Sequence, residues 1–149
     1  MENTKLVYAT YIRTTPEKLW EAITVPEFTH QYWAGARNVS DWKVGSTWQH
    51  VFDDDPEPVA IVGKVVESTP PQRLVITWAD PDSREEESLV TFDIEPVGTE
   101  GNSVCLTVTH DQLKADSRMV TGVSKGWPKV LSSMKTFLET GQGLDIFGK

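Results

Sequence analysis

A change in hydrophobic periodicity near Asp111 constrains the fold of this 149-residue chain more than any other feature of its sequence. From Val39 up to that point, apolar residues alternate with polar ones between turn residues, which predicts β-strands. After Asp116 the apolar residues recur at offsets of three and four, which predicts one long amphipathic helix. A sheet and a helix with one apolar face each bury both faces by packing together. The pattern therefore predicts an α+β fold.

Within the alternating region, turn residues separate five predicted strands, and a sixth precedes that region. The predicted strands are residues 6–13, 46–52, 59–67, 73–79, 88–95 and 103–110. Gly63 lies inside one of them and predicts a bend or bulge there.

Three helices are predicted from their end signals and their apolar spacing. Thr15 is a suitable N-cap with Pro16 at the first helical position, and a second short helix is predicted over residues 27–33. The long helix is predicted from about Asp116 to Thr140, with Gly141 as its C-terminal stop. Its apolar stripe comprises Val120, Val123, Trp127, Val130, Leu131, Met134, Phe137 and Leu138. Pro128 predicts a kink or a division of this helix in two.

Charge and cysteine content exclude several classes of function. The 14 basic and 22 acidic residues give a net charge of −8, and no Lys/Arg cluster offsets it, so nucleic acid is not an expected partner. The lone Cys105 allows no internal disulfide and no cysteine pair for zinc, which favours a reducing, cytoplasmic location. No stretch approaches the roughly 18 apolar residues of a membrane span, so we expect no membrane insertion. We expect no metal and no cofactor.

A series of short segments resembles one known family in both order and spacing. The segments are TPEKLWEAIT at 15–24, PE at 26–27, YW at 32–33, VGS at 44–46, GKVVE at 63–67, PP at 70–71, RLVITW at 73–78, TH at 109–110, GW at 126–127 and LETG at 138–141. Over residues 6–141 they resemble the activator of heat shock protein 90 ATPase homologue-like family, within the START-like or SRPBCC superfamily.

The resemblance implies a helix-grip fold in β-α-α-β6-α order. In that fold a curved antiparallel sheet of six to seven strands wraps a long C-terminal helix, and residues 1–149 would form a single domain. The superfamily is dominated by binders of lipids, sterols and polyketides, which implies a cavity for a small apolar or amphipathic ligand between sheet and helix.

Candidate ligand-binding residues follow from the strand faces and the helix stripe. They are Trp33, Trp48, His50, Phe52, Trp78, Phe92, His110, Trp127 and Met134. The tryptophans would supply apolar area, and His50 and His110 would orient the ligand. The alternative is that the aromatic residues are plain core packing and that each histidine is satisfied by a neighbour. Pocket lining is the better interpretation only if the helix stands away from the sheet.

Two other classes of function stay open beside ligand binding. One is a protein-interaction module of the chaperone-activator type, although the co-chaperone that names the family carries an additional N-terminal domain and this sequence starts at the first predicted strand. The other is a cyclase or hydrolase that uses the same cavity. Residues 122–126 match the G-x-S-x-G nucleophile motif, but all three histidines precede Ser124, so we predict no hydrolase site there. The acidic run at 53–55 is predicted to be a solvated hairpin tip rather than a metal site.

Overall fold

The computed structural model describes residues 3–147 and contains one antiparallel sheet with three α-helices over that range. The strands are β1 (Asn3–Ile12), β2 (Arg37–Ser40), β3 (Thr47–Val51), β4 (Val59–Thr69), β5 (Arg73–Trp78), β6 (Ser88–Pro96) and β7 (Val104–Lys114). The helices are α1 (Pro16–Thr24), α2 (Pro26–Tyr32) and α3 (Arg118–Thr140), with a 3-10 turn at Arg84–Glu86. The α+β class and the β-α-α-β6-α order are confirmed.

The sheet order brings the first strand beside the last one. The strands run β1-β7-β6-β5-β4-β3-β2, and each neighbouring pair is antiparallel. Strands β1 and β2 therefore form opposite edges, so α1 and α2 must cross the sheet to connect them. Helix α3 returns from β7 toward β1 and packs against both strands and against α1 and α2.

The ends of the helices follow local sequence signals. Thr15 accepts a hydrogen bond from the Lys18 backbone N–H at 3.2 Å and so caps α1, as predicted. Gly141 adopts φ +94° and donates its N–H to the Phe137 carbonyl at 2.8 Å. A left-handed residue at this position ends a helix, and glycine adopts it without a steric penalty.

The boundary between the last strand and α3 lies later than the sequence predicts. Strand β7 continues to Lys114, and α3 begins at Arg118 after its cap, Ser117, whose hydroxyl accepts from the Val120 N–H at 3.1 Å. The extra strand residues pair with the start of β1 across a register shift between Thr4 and Leu6. Such an irregularity breaks the alternation from which a strand end is predicted.

Gly63 is required for a close approach, and the predicted bulge is not at this position. The register shifts of β4 lie between Val65 and Glu67 and opposite His50 and Val51, whereas Gly63 pairs in register with Trp48. The Trp48 indole N–H donates to the Thr77 carbonyl at 2.7 Å. A Cβ on Gly63 would lie 1.9 Å from that carbonyl oxygen and 2.5 Å from Trp48 Nε1, so only glycine fits there.

Helix α3 continues through Pro128 and is not divided. Because proline has no N–H, the Ser124 carbonyl loses its partner four residues later. The Tyr8 hydroxyl of β1 donates to this carbonyl over a long distance of 3.4 Å. Among the described residues, no helix is both long and apolar enough to cross a membrane.

Candidate ligand-binding site

Three tryptophans from distant parts of the chain meet between the sheet and α3. Trp33 follows α2, Trp78 ends β5 and Trp127 lies in the middle of α3. The ring centroids of Trp33 and Trp78 are 6.4 Å apart, and both lie 5.5 Å from that of Trp127. All three side chains are buried. At these separations the rings are in direct contact, so they form a continuous aromatic surface.

The other predicted aromatic residues extend this surface into one connected network. Their ring-centroid separations are 5.3 Å for Trp48 and Trp78, 5.1 Å for His50 and Trp33, 5.2 Å for Phe52 and His50, 5.3 Å for His110 and Trp78, and 6.0 Å for Phe92 and Trp127. Met134 is fully buried in the same apolar core. Thus the structure brings together in one core all nine residues predicted from sequence, with Phe52 half-buried at its margin.

His110 is held by a chain of hydrogen bonds that runs from α3 into the sheet. The Trp127 indole N–H donates to His110 Nδ1 at 3.0 Å, so this nitrogen carries no proton. The proton is then on Nε2, which donates to the Ser88 hydroxyl at 2.8 Å. The Ser88 hydroxyl in turn donates to the Trp78 carbonyl at 3.0 Å. Both ring nitrogens of His110 are therefore occupied.

Burial keeps His110 neutral as well as fixed. Desolvation lowers the pKa of His110 from 6.5 to about 4, and the adjacent Asp111 carboxylate opposes this shift only in part. Protonation of Nδ1 would also break the bond from Trp127. A general base must accept a proton without losing its position, so this arrangement suits a structural role better than proton transfer.

His50 is fixed through a second set of polar contacts. Its Nδ1 lies 2.6 Å from the side-chain oxygen of Asn38, an acceptor, so the ring donates to Asn38. The Asn38 backbone N–H donates to the Thr29 hydroxyl of α2 at 3.0 Å. These contacts tie the edge strand β2 to α2 beside Trp33. Neither Asn38 nor Ser88 is among the residues predicted from sequence, because each is a short polar residue in a strand with no distinctive spacing.

Beside the aromatic rings a small pocket that is open to the surface adjoins a larger cleft, and we call these two spaces the inner chamber and the outer cleft. The inner chamber measures about 100 Å³ and is lined by Trp33, Trp78, Gly122, Val123, Gly126, Trp127 and Val130. The outer cleft measures about 520 Å³ and is lined by Asp80, Ser83, Glu86, Ser117, Arg118, Met119, Gly122 and Val123. Gly122 and Val123 line both spaces, so the chamber and the cleft adjoin the same two residues in the first half of α3.

Two features make the inner chamber suitable for a ligand. Gly122 and Gly126 are one helical turn apart, and a Cβ on either would have no heavy atom within 4 Å, so their lack of side chains keeps the space open. Its lining side chains, Trp33, Trp78, Val123, Trp127 and Val130, are all aliphatic or aromatic. The chamber thus suits the apolar end of a ligand.

The outer-cleft residues are those that sequence reasoning missed. They lie in the β5–β6 connection and at the start of α3, and apart from Val123 no hydrophobic period singles them out. The available signal was the pair of glycines in a helix, which costs about 1 kcal/mol each and so calls for a reason. The G-x-S-x-G letters that contain them lie within α3, and the Ser124 hydroxyl donates to the Thr121 carbonyl at 3.0 Å. The strand-turn-helix context of a nucleophile elbow is absent there.

Comparison with known proteins places the chain in a family. Residues 13–139 match the family described as activator of Hsp90 ATPase homolog 1-like protein. The chain belongs to this family. Membership supports a ligand-binding or interaction domain. No curated protein matches the sequence significantly.

Solved structures with the same fold come from several organisms. The Aha1 dimer of Colwellia psychrerythraea is 22% identical with a TM-score of 0.75, over 94% of this chain and 99% of that one. An HSP90 activator from Plasmodium falciparum is 22% identical with a TM-score of 0.73, over 93% of this chain and 96% of that one. A Mesorhizobium loti protein is 26% identical with a TM-score of 0.73, over 91% and 97% respectively. These likenesses show the helix-grip fold of the family.

Proposed function

We propose that this family member binds a small amphipathic molecule between the first half of α3 and the sheet. The observation that carries the proposal is that the apolar inner chamber and the polar outer cleft share two lining residues, Gly122 and Val123. The apolar end of the ligand would lie against Trp33, Trp78 and Trp127. Its polar end would lie in the outer cleft among the side chains of Ser83 and Arg118.

The volumes indicate how much of the ligand each space holds. The outer cleft, at about 520 Å³, falls in the range of about 300 to 1,000 Å³ that is usual for ligand pockets. The inner chamber, at about 100 Å³, is smaller than the roughly 150 Å³ cavity that accommodates benzene. A ligand would therefore place only a small apolar end in the chamber. A sterol could enter only if the first half of α3 moved.

Binding is a better proposal than catalysis at this site. None of the residues that line the inner chamber has a titratable side chain, and the titratable Asp80, Glu86 and Arg118 line the outer cleft only. His110, the buried histidine behind it, has both ring nitrogens engaged and a lowered pKa of about 4. Reactions of cyclases and hydrolases need groups that exchange protons with the substrate, and such groups usually converge on the pocket.

Intrinsic tryptophan fluorescence tests the proposal, because three of the six tryptophans line the chamber. The protein is titrated with fatty acids, sterols and aromatic polyketides, and saturable quenching by one class is expected. Gly122→Leu fills the space shared by chamber and cleft and should abolish the quenching. Lys125→Leu adds the same side chain at an exposed position of the same helix and should leave it unchanged.

The outcomes separate binding from its alternatives. Equal quenching in the parent and Gly122→Leu would place the ligand elsewhere and refute this site. If no compound of the panel quenches the fluorescence, the protein does not bind small molecules of these classes. A gel-shift experiment with DNA and RNA at moderate salt should show no complex, because the net charge of −8 opposes binding to phosphate backbones.

A second candidate function, binding of a protein partner, is favoured by the outward face of β1. Val7 and Tyr11 on this edge strand are 56% and 65% exposed, with Ala9 exposed between them. The exposed side chains of Lys5 and Arg13 flank them, so the chemistry fits an apolar segment of a partner with acidic residues at its ends. Both functions are proposed for the cytoplasm, where Cys105 would stay reduced.

The family description suggests the assay for this second function. The chain is added to a purified Hsp90, and the rate of ATP hydrolysis is measured. If β1 carries the interaction, a Val7→Thr/Tyr11→Thr variant should lose any stimulation while Gly122→Leu keeps it. Stimulation by both variants would exclude the β1 face, and no stimulation by the parent would exclude this chaperone as the partner.

A further inference from the structure

We propose that residues 142–147 form a C-terminal clasp that holds the end of α2 against α3 and thereby keeps Trp33 in its position at the inner chamber. The clasp follows residues 13–139, the part of the chain that matches the family. Because Trp33 lines the chamber, this segment would help to set the shape of that space. The inference goes beyond the proposed binding function, and its test needs no ligand.

Two contacts fasten the clasp between the helices. The Leu144 backbone N–H donates to the Ser133 hydroxyl oxygen at 2.9 Å, and Ser133 is fully buried in the second half of α3. A Cβ on Gly143 would lie 2.6 Å from the Gln31 carbonyl oxygen in α2. It would also lie 2.9 Å from both Tyr32 Cα and Ser133 Oγ. The chain therefore passes so close to both helices that only glycine fits at this position.

The end of α2 that the clasp contacts is the end from which Trp33 extends. Gln31 and Tyr32 are the last residues of α2, and Trp33 follows them directly. The centroid of the Tyr32 ring lies 6.1 Å from that of Trp33 and 5.7 Å from that of Phe137 on α3. Phe147 of the clasp packs against the apolar core to which Tyr32 belongs. How closely this end of α2 is held to α3 therefore determines where Trp33 begins.

The turn after Trp33 is strained, which makes its shape dependent on such support. Ala34 and Gly35 are both left-handed, with φ +54° and φ +82°. For alanine this conformation is unfavourable, because its Cβ approaches the following carbonyl oxygen. A residue stays in such a conformation only where the surrounding structure holds it. The clasp and this turn line a common pocket of about 210 Å³, so the turn has space to relax once the clasp is released.

Gly143→Ala tests the clasp with a single methyl group. Gly143 is not left-handed, so the substitution adds a clash and no backbone strain. In the ¹⁵N-labelled protein the Leu144 amide should exchange with solvent about tenfold faster than in the parent, because its hydrogen bond to α3 is lost. The Trp33 indole signal should shift, whereas that of Trp20 on α1 should not. Gln142→Ala changes an exposed side chain of the clasp and should leave the exchange rate and both signals unchanged.

Assignment and folding are checked within the same experiment. Trp33→Phe and Trp20→Phe identify the two indole signals by their loss, and the dispersion of the remaining signals shows whether each variant is folded. If Gly143→Ala does not fold, Ser133→Ala supplies the same comparison, since it removes only the hydroxyl that accepts from Leu144. Its effects on Leu144 exchange and on the Trp33 signal should have the same direction and a smaller size.

Ala34→Gly separates positioning of Trp33 from a general loss of packing. Glycine adopts the left-handed conformation without a penalty, so the turn keeps its shape without the clasp. In the Ala34→Gly/Gly143→Ala double variant the Trp33 signal should therefore lie where it lies in Ala34→Gly alone. The Leu144 amide should still exchange fast. A clasp that only stabilised the fold would show no such rescue.

Three results would overturn the inference. An unchanged Leu144 exchange rate in folded Gly143→Ala would show that Gly143 does not fasten the clasp. Fast exchange of Leu144 with an unchanged Trp33 signal would show that the clasp does not position Trp33. A Trp33 shift of the same size with and without Ala34→Gly would show that the strained turn does not transmit the effect.

Discussion

The two halves of α3 differ in how they are held, although their sequences continue the same apolar stripe. Every fully buried residue of the helix lies in the second half, beginning at Trp127. There the Lys135 ammonium donates to the Tyr11 carbonyl at 2.8 Å, the Arg13 N–H donates to Glu139 at 2.9 Å and Phe137 lies against Phe28 and Tyr32 of α2. The first half, residues 118–126, has only half-buried and exposed residues.

The difference assigns separate tasks to the two halves. The second half fixes the helix to β1 and α2, and the first half lines the cleft and, together with Trp127 and Val130, the chamber. Pro128 lies at the junction and interrupts the helical hydrogen bonds, while Tyr8 compensates only through its long contact with the Ser124 carbonyl. Regions with few buried contacts open at low free-energy cost, as a ligand-admitting element requires.

The largest expected effect comes from removing the residue that begins the buried half. Trp127→Ala should lower the free energy of unfolding by about 3 to 5 kcal/mol, because it removes a buried indole and leaves His110 Nδ1 without its donor. Chemical denaturation of parent and variant measures this. A variant that unfolds at the same denaturant concentration as the parent would show that Trp127 does not anchor α3.

Lowering the pH should destabilise the fold through His110, the hydrogen-bond partner of Trp127. The pKa of His110 is lowered from 6.5 to about 4 in the folded state, so between these pH values the unfolded chain takes up a proton that the folded chain does not. The free energy of unfolding should therefore fall as the pH falls, by about 1.4 kcal/mol per pH unit and by about 3 kcal/mol in all. Above pH 6.5 this contribution is complete.

Comparison with His110→Gln isolates that effect. Glutamine does not titrate, so groups other than His110 make the same contribution in both proteins. The difference in unfolding free energy between parent and variant should shrink as the pH is lowered from 7 toward 4. A constant difference over this range would mean that the pKa of His110 is not lowered by folding.

Sequence patterns predicted much of this structure because its main determinants are local. The strand faces predicted the aromatic network, since alternation sets which side chains share a face, and Thr15 and Gly141 predicted helix ends. The series of hydrogen bonds from Trp127 through His110 to Ser88 was not predictable. It depends on the pairing of Trp78 with Ser88 and of Val90 with His110, and a single strand's pattern does not reveal its register.

The unequal halves of α3 were not predictable for a related reason. Val120 and Val123 continue the three-and-four spacing of the buried half, so the hydrophobic pattern is the same on both sides of Pro128. Which part of a stripe is covered depends on the elements opposite it. Here α2 and β1 face the second half, whereas the first half adjoins the β5–β6 connection across the cleft.

The same substitution made in each half of α3 measures how differently the two halves are packed, and the expected effects on stability are moderate. Val130→Ala removes two methyl groups from a buried site and should cost about 2 kcal/mol. Val123→Ala makes the same change at a half-buried site beside the cleft and should cost less than about 1 kcal/mol. Denaturant titrations of both variants give the comparison. Equal costs would show that the first half is packed as tightly as the second.

The smallest expected effect on the free energy of unfolding is a stabilisation. Gly126→Ala should raise the free energy of unfolding by about 0.5 to 1 kcal/mol, because alanine favours the helix and its Cβ meets no heavy atom within 4 Å. Gly63→Ala is the contrasting control and should destabilise the fold, since its Cβ would lie 1.9 Å from the Thr77 carbonyl oxygen. Thermal melts of both variants should show a higher melting temperature for Gly126→Ala and a lower one for Gly63→Ala than for the parent. Gly126 also lines the inner chamber, so if its methyl group narrows that space the stabilised variant should bind the ligand less tightly. A gain in stability with unchanged affinity would mean that the glycine does not keep the chamber open, and that the ligand contacts the outer cleft alone.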